Sequence, residues 1–333
     1  MSQATLKDVA VHAGVSHQTV SNVLNDHPHV RPATRQRVLK AVAELDYHPN
    51  VAAKALREAR ITALCCAFYN HDADQIADPY RNLIQSSFVA EADLRGYTMN
   101  VAFLLGEQPQ TFDRLRQRFL QRQMGGSVIV GQNMTAQQWR TTREWGMSSV
   151  MFDQHFDDTL VNTVFADYRG GMRELVAHHA AQGRRDLALI IPLADPGSSG
   201  VERHEQFLAS VQELGLRGRV VNGDWSFDSG ERAARTLLQG DAPDAILAGN
   251  DRMAAGALLA AHQLGIDVPG TLAISGFDDF EFTLYTTPRL TTVRVPHEAM
   301  ARAAVQDLLN LIETGEDQPA RCFPTELVVR DSS

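Results

Sequence analysis

Two short amphipathic segments joined by a glycine, at residues 5–24, constrain the fold of this chain more than any other stretch. Apolar residues recur at helical spacing on both sides of Gly14, in TLKDVAVHA and again in SHQTVSNVL. Gly14 permits a sharp turn because it has no Cβ to obstruct left-handed backbone. Thr5 and Ser16 are placed to cap the two helices, and Asp8 follows Thr5 at capping-box spacing. The spacing therefore predicts two helices with a tight corner between them.

The outer face of the second helix carries only hydrogen-bonding side chains, namely His17, Gln18, Ser21 and Asn22. Such a face suits the floor of the DNA major groove, where base edges present donors and acceptors. An ordinary amphipathic helix pair at the end of a bundle would show the same periodicity. A third helix, predicted over residues 30–45, favours DNA, because it opens with groups that can reach phosphates: Arg31, Thr34, Arg35 and Arg37.

Three runs of this region resemble the headpiece of the lactose-repressor (LacI/GalR) family. They are TLKDVAVHAGVSHQTVSNVLN, TRQRVLKAVAELDYHPN and AAKALR, and the likeness extends without a gap over residues 1–58. It implies a helix-turn-helix headpiece at 1–48, a hinge helix and linker at 49–60, and an effector-binding and dimerisation domain at 61–333. The residues expected to contact DNA are Thr5, Ser16, His17, Gln18, Thr19, Ser21, Asn22, Asn25, Arg31, Thr34, Arg35, Tyr47, Asn50, Ala53, Lys54 and Leu56.

The hinge is predicted to be a helix from about Val51 to Glu58, preceded by Pro49 and capped by Asn50. Eight residues are too few for a stable isolated helix, so the segment should order only when something packs against it. The resemblance implies pairing with the dimer mate in the minor groove, where Leu56 wedges into a central base step and kinks a near-palindromic operator. A plain linker with helical bias is the alternative interpretation.

Beyond residue 61, short apolar runs alternate with helical stretches many times, as in DLALIIP followed by VERHEQFLASVQELG. This alternation predicts parallel sheets covered by helices on both faces, with enough units for two sheets. Ligands of such folds lie at the carboxyl ends of strands. Polar residues follow predicted strands at Asp153, Asn250 and Asp278, so we expect a binding site there.

The same region resembles the family's two-lobed effector domain, which is like a periplasmic sugar-binding protein. The motifs AGNDRMAAGAL, ISGFDD and PRLTTVRVP carry this likeness. It implies an N-lobe of about 61–164 and 294–320, and a C-lobe of about 165–292 and 321–333. The residues expected to bind the ligand are Tyr69, Tyr80, Arg81, Asp153, Phe165, Arg203, Trp225, Asn250 and Asp278.

The expected effector is a sugar or sugar derivative, since charged side chains satisfy paired hydroxyls and an indole stacks on a C–H-rich face. A purine or nucleoside is the alternative ligand. The run Asp78-Pro79-Tyr80-Arg81 departs from the family pattern. Arg81 indicates an anionic ligand such as a sugar acid, or else it is a solvated loop arginine, which is the interpretation we favour.

Charge is divided unevenly along the chain, whose net charge is −9. Residues 1–60 hold eight Lys and Arg against five Asp and Glu, and the remaining residues hold 23 against 35. A small basic head on an acidic body can bind phosphates while the body stays off the DNA. No run reaches the length of a membrane span or resembles a signal peptide, so we expect a cytoplasmic protein.

The remaining features bear on chemistry and assembly. Cys65, Cys66 and Cys322 match neither a disulfide framework nor zinc spacing, and we expect buried free thiols and no metal or other cofactor. No leucine heptads follow the last predicted strand, which favours a homodimer over a tetramer.

A solute-binding protein without a DNA role is the second candidate function. An enzyme is disfavoured, because nucleotide-binding, metalloprotease and serine-hydrolase motifs are all missing from the sequence.

Overall fold

The computed structural model describes residues 4–24, 27–47, 61–69, 78–104, 110–131, 134–156, 161–193 and 199–333. The predicted hinge helix, with Asn50, Ala53, Lys54 and Leu56, and the predicted contact Asn25 lie outside the described residues. Contacts divide the chain into two units, Met1–Ile61 and Thr62–Ser333. Among the described residues, no helix is long and apolar enough to cross a membrane.

The first unit contains three described helices: α1 (Leu6–Ala13), α2 (His17–Leu24) and α3 (Pro32–Glu44). The predicted helix pair and its corner are confirmed, with Gly14 left-handed at φ 62°. Thr5 and Asp8 form the complete capping box. The helices share a small core of Val9, Ala10, Ala13, Val20, Val23, Val38, Ala41 and Tyr47. At the surface, His12 Nε2 lies 2.7 Å from Glu44 Oε2 and joins α1 to α3.

The second unit begins with a parallel six-stranded sheet in the order β11-β5-β4-β3-β1-β2. Its strands are β1 (Ala63–Tyr69), β2 (Thr98–Leu104), β3 (Gly126–Gly131), β4 (Ser148–Phe152), β5 (Thr163–Ala166) and β11 (Arg321–Phe323). The helices packed on it are α4 (Pro79–Leu94), α5 (Gln110–Leu120), α6 (Ala136–Glu144) and α11 (His297–Thr314). We call this sheet and these helices the first lobe.

A parallel four-stranded sheet in the order β7-β6-β8-β9 forms the second lobe. Its strands are β6 (Asp186–Ile191), β7 (Arg217–Asn222), β8 (Ala245–Ala248) and β9 (Ala273–Ser275). Its helices are α7 (Tyr168–Ala181), α8 (Ser199–Glu213), α9 (Phe227–Leu238) and α10 (Asp251–Gln263), and a 3-10 helix spans Glu281–Leu284. A two-stranded antiparallel ribbon pairs β10 (Thr292–Arg294) with β12 (Glu326–Val328). The predicted fold class is confirmed.

The central strands of both sheets are buried because helices cover both faces. One apolar cluster runs continuously through both lobes and includes Phe68, Phe152, Leu189 and Phe277. Separate clusters lie on the opposite face of each sheet. The strand limits differ from the predicted lobe limits, since β5 continues to Ala166, and β11 pairs with β5 although it was assigned to the C-lobe. The chain therefore leaves the first sheet after Phe323 rather than at residue 320.

The three cysteines are free thiols, as expected. Burial raises the pKa of Cys65 to about 11 and raises the pKa of Cys66 well above its usual range. These two thiols are therefore unreactive packing groups. The expectation of burial is wrong for Cys322, which is exposed on the short strand β11.

A histidine buried in the second lobe makes the stability of this unit depend on pH. His179 is fully buried, its Nε2 lies 2.9 Å from Ser275 Oγ, and burial lowers its pKa from 6.5 to about 3. The unfolded chain binds a proton between those two values and the folded chain does not. Stability from this group is therefore complete above pH 6.5 and is lost as the pH falls towards 3.

We predict that His179→Gln, which keeps a hydrogen-bonding group near Ser275, will flatten the acid side of the stability profile. The loss of unfolding free energy between pH 6 and 4 should shrink by about 1.4 kcal/mol per pH unit. Urea unfolding at several pH values measures this slope. His262→Gln, on the exposed face of α10, is the control and should leave it unchanged. An unaltered slope in His179→Gln would contradict the assignment.

Candidate functional site

The exposed face of α2 presents the side chains that were predicted to read bases. His17 and Gln18 are exposed, and Ser21 and Asn22 are half-buried. Gln18 Nε2 donates a hydrogen bond to Asn22 Oδ1 over 3.0 Å. The two amides are therefore oriented as a pair one helical turn apart, and Asn22 takes part in this bond through its oxygen and not through its amide hydrogens.

Thr5 and Ser16, which were predicted to contact DNA, serve as helix caps. Ser16 Oγ accepts from the Thr19 amide over 3.1 Å and lies 2.8 Å from Thr19 Oγ1, and Thr5 accepts from the Asp8 amide. Capping places both hydroxyls at helix N-termini, where unsatisfied amides and the helix dipole attract anions. The positions suit phosphate contacts, and this role remains a prediction.

The other residues of the headpiece that were predicted to contact DNA differ in their exposure. Arg31 is exposed at the start of α3, and Thr34 is half-buried one turn later. Arg35 Nη2 donates to the carbonyl oxygen of His27 over 2.9 Å. Tyr47 is only 8% exposed and belongs to the headpiece core, so its burial disfavours the predicted DNA contact.

In the second unit, Arg203 is the centre of the candidate ligand site. It lies on α8, is 4% exposed, and donates to the carbonyl oxygen of Gly249 over 2.6 Å and to Ser199 Oγ over 2.8 Å. Its guanidinium carbon also lies near three aromatic ring centroids: 4.7 Å from Tyr168, 4.9 Å from Trp225 and 4.9 Å from Phe277. Cation–π attraction and these bonds offset the cost of burying the charge.

Asp278 faces this arginine from the chain that follows β9. Its Oδ1 lies 4.0 Å from Arg203 Nη1 and 3.5 Å from His297 Nε2. The backbone of Asp278 is at φ 112°, a conformation that L-residues rarely adopt. Such strain persists only where surrounding structure enforces it, and it is frequent at binding sites.

Asp153 follows β4 and joins the two lobes. Tyr80, on α4 of the first lobe, donates its hydroxyl to Asp153 Oδ2 over 2.7 Å, and Tyr168, on α7 of the second lobe, donates to Oδ1. Burial raises the pKa of Asp153, whereas His297 and the two hydroxyls oppose this rise. The carboxylate is thus held by donors from both sides of the cleft.

A hydrogen bond links Asn250 to the backbone of Trp225. Asn250 Oδ1 accepts from the Met253 amide and caps α10, and its Nδ2 donates to the carbonyl oxygen of Trp225 over 3.0 Å. Trp225 has a left-handed backbone at φ 66°. The amide therefore fixes the tight loop that places the indole ring beside Arg203.

Phe165 lies in a neighbouring group rather than against Arg203. Its half-buried ring stacks on His155 with centroids 4.1 Å apart. His155 Nε2 lies 3.3 Å from Glu202 Oε1, which joins the first lobe to α8 of the second. Burial raises the pKa of Glu202 to about 7.

Two predicted ligand residues are placed differently from expectation. Tyr69 is 1% exposed and packs on the outer face of the first sheet, where it stacks on Phe112 and accepts a hydrogen bond from Gln138 Nε2 over 2.9 Å. It does not join the Arg203 group. Arg81 is 4% exposed within α4, with its guanidinium carbon 5.5 Å from the Phe103 ring centroid. The favoured interpretation of Arg81 as a solvated loop arginine is therefore wrong.

Sequence reasoning missed three residues of this site, namely Tyr168, Phe277 and His297. Tyr168 follows a strand exit, Phe277 immediately precedes Asp278, and His297 opens α11 directly after the motif PRLTTVRVP. The signals available were a strand end before Tyr168, the motif ISGFDD that contains Phe277, and the motif that ends just before His297. Their contacts with Arg203, Asp153 and Asp278 depend on packing between distant segments.

Models of two known protein families match parts of both units. Residues 5–50 match the family described as "Bacterial regulatory proteins, lacI family", and residues 176–333 match a periplasmic binding protein-like domain. The transcriptional regulator MalR of Streptomyces coelicolor is 32% identical, over 98% of this chain and 96% of its own length. The transcriptional repressor PurR of Erwinia tasmaniensis is 31% identical, over 97% and 95%.

Solved structures of similar architecture span almost the whole chain. A Lac repressor dimer bound to operator and the anti-inducer ONPF superposes with a TM-score of 0.86 and 26% identity, covering 99% of both chains. A complex of the transcriptional regulator CelR with cellobiose superposes with a TM-score of 0.74 and 28% identity, covering 99% of this chain and all of that one.

The Asp153 bridge leads to a prediction about stability. Tyr168→Phe removes one of the two hydroxyls that hold the half-buried carboxylate of Asp153, so the free energy of unfolding should fall by about 1–3 kcal/mol. Urea unfolding at pH 7 measures this change. Tyr285→Phe is the matched control, because it removes a 2.5 Å bond to Glu281 from a tyrosine that is 71% exposed. Equal stability of the two variants would contradict the role assigned to Tyr168.

Proposed function

This chain belongs to the LacI family of bacterial regulatory proteins, and from that we propose a dimeric repressor whose operator affinity is controlled by a sugar bound between the two lobes. Sequence-specific DNA binding in transcription regulation is the function of the family, and the chain is not an enzyme. The choice of a sugar as effector rests on the surroundings of Arg203, which is buried among aromatic rings and faces Asp278.

The chemistry of that group suits a polyol. Carboxylate oxygens accept hydrogen bonds from hydroxyls, and a guanidinium donates to them. Tyr168, Trp225 and Phe277 surround the charges with aromatic surface, on which the C–H faces of a sugar ring can stack. The cellobiose complex of CelR supports this class of ligand, and the likeness to PurR makes a purine the alternative to be tested.

The DNA side of the proposal rests on α2. Its outer face offers paired amides from Gln18 and Asn22 and no exposed large apolar residue. We propose that a homodimer places two such helices in successive major grooves of a near-palindromic operator. The similarity to a Lac repressor dimer bound to operator supports this arrangement. Because its partner is chromosomal DNA, we propose that the protein acts in the cytoplasm.

The first test concerns the effector. Asp278→Asn and Arg203→Met each remove a charged group that we propose to hydrogen-bond the sugar in a site shielded from water, so sugar binding should weaken by about 2–5 kcal/mol. Calorimetry against sugars, sugar acids, phosphosugars and purines measures the affinity. Operator binding without ligand should survive, because the headpiece is unaltered.

Arg232→Met is the control for the effector test, since that arginine is exposed on α9. Sugar affinity equal to wild type in both site variants would refute the placement of the site. Binding of purines and of no sugar by the wild-type protein would refute the sugar class while leaving the regulator intact.

The second test concerns base reading. Asparagine offers one donor and one acceptor, which complements adenine N6 and N7, whereas arginine complements guanine O6 and N7. Asn22→Arg should therefore move the preferred base in each half-site from A towards G, by about 1–3 kcal/mol. Selection from randomised half-sites measures the preference. An unchanged base profile would show that Asn22 reaches only phosphate or water.

A further inference from the structure

The imidazole of His297, the first residue of α11, is buried without a hydrogen bond. It is 2% exposed, and neither ring nitrogen has a hydrogen-bond partner among the described residues. His179, equally buried, differs because its Nε2 bonds to Ser275. An unbonded buried imidazole is destabilising, and native proteins rarely retain such a group without a reason. We therefore expect a hydrogen-bond partner close to the ring of His297.

Two aromatic rings hold the imidazole in one orientation. Phe280 stacks on it at 5.8 Å between centroids with 7° between planes, and Tyr80 contacts it edge-on at 5.2 Å. Both rings belong to segments that hold a carboxylate of the site, since Phe280 lies two residues after Asp278 and the Tyr80 hydroxyl bonds to Asp153. The ring of His297 is thus fixed relative to both carboxylates.

The fixed ring directs Nε2 towards one particular oxygen. Nε2 lies 3.5 Å from Asp278 Oδ1, and Arg203 Nη1 approaches the same oxygen at 4.0 Å. A carboxylate has two oxygens that accept hydrogen bonds. Two donors of the protein converge on Oδ1, so Oδ2 is the oxygen placed for a ligand.

We propose that His297 is a positioning residue for Asp278: in the sugar complex its Nε2–H donates to Oδ1 and directs Oδ2 at one ligand hydroxyl. The present separation has to shorten by only ~0.5 Å to reach ordinary hydrogen-bond length. This inference rests on the proposed function, because it takes Asp278 to be a ligand contact. In this proposal His297 touches no ligand atom and sets the direction of Asp278, which does.

The test measures sugar affinity by calorimetry in four variants: His297→Phe, His297→Gln, Asp278→Asn, and Asp278→Asn combined with His297→Phe. The probes are cellobiose, maltose, lactose, D-glucose and D-galacturonate, with hypoxanthine and guanine as the purine set. Phenylalanine keeps the ring between Tyr80 and Phe280 and lacks the donor, so affinity should fall about 10- to 100-fold, as expected for a lost hydrogen bond to a charged group. Glutamine supplies a donor and should restore affinity to within about threefold of wild type, a small difference on this scale.

The double variant separates positioning from packing. In the Asp278→Asn background, His297→Phe should change affinity by less than about twofold, because the group it orients is already altered. An equal loss in both backgrounds, or wild-type affinity in His297→Phe, overturns the inference. His179→Gln is the control for loss of a buried histidine and should bind sugar as wild type does. If His297→Phe does not fold, His297→Met, which also lacks a donor, takes its place with the same expectations.

The outcome also distinguishes this inference from the proposed function. Sugar binding that Asp278→Asn weakens and His297→Phe leaves intact refutes the role of His297 alone. A wild-type protein that binds none of the sugars refutes both the sugar class and the inference. Operator affinity without sugar should be the same in all variants, and its loss would show a structural defect instead of positioning.

Discussion

The burial of one guanidinium, that of Arg203, is the constraint on which the effector domain most depends. A charge removed from water is costly unless nearby groups replace its hydration. Here the replacement comes from the Gly249 carbonyl oxygen, Ser199, three aromatic rings and a nearby carboxylate. These groups lie on α7, on α8 and in the segments that follow β7, β8 and β9. Loss of any one of these groups raises the cost of burying the arginine, so the site and the fold around it are interdependent.

Parallel sheets explain why these groups meet. Every strand of both sheets runs in the same direction, so the segments after the strands gather at the same edge of each sheet. Asp153 follows β4, Asn250 follows β8, and Asp278 follows β9 by three residues. Left-handed backbone at Asp153 and Asp278 then turns two carboxylates out of line with their strands. The parallel sheets bring these polar groups to one edge, and the strained backbone at Asp153 and Asp278 sets the direction of their carboxylates.

Sequence reasoning predicted the parts of the site that follow from this architecture. Asp153, Asn250 and Asp278 were recognised because polar residues after buried strands are visible as a pattern, and the helix pair around Gly14 was visible for the same reason. Tyr69 was misplaced because β1 is buried on both faces, so its sequence ALCCAFY has no alternation to show which side chains face the cleft. Tyr168, Phe277 and His297 act through contacts between segments far apart in the chain, which no local pattern encodes.

The two carboxylates of the site, Asp153 and Asp278, differ in the hydrogen bonds that they already accept from the protein. Asp153 already accepts a hydrogen bond on each oxygen, from the Tyr80 and Tyr168 hydroxyls, so a sugar hydroxyl that binds there competes with bonds that join the lobes. Asp278 has donors at 3.5 and 4.0 Å, beyond close hydrogen-bond length, and gains a new bond without losing one. A ligand shifts a conformational equilibrium only by its difference in affinity between the two states. On the proposed placement of the sugar, a bond to Asp278 would supply affinity, whereas competition at Asp153 would alter the link between the lobes. The response to effector should therefore depend on Asp153 more than on Asp278.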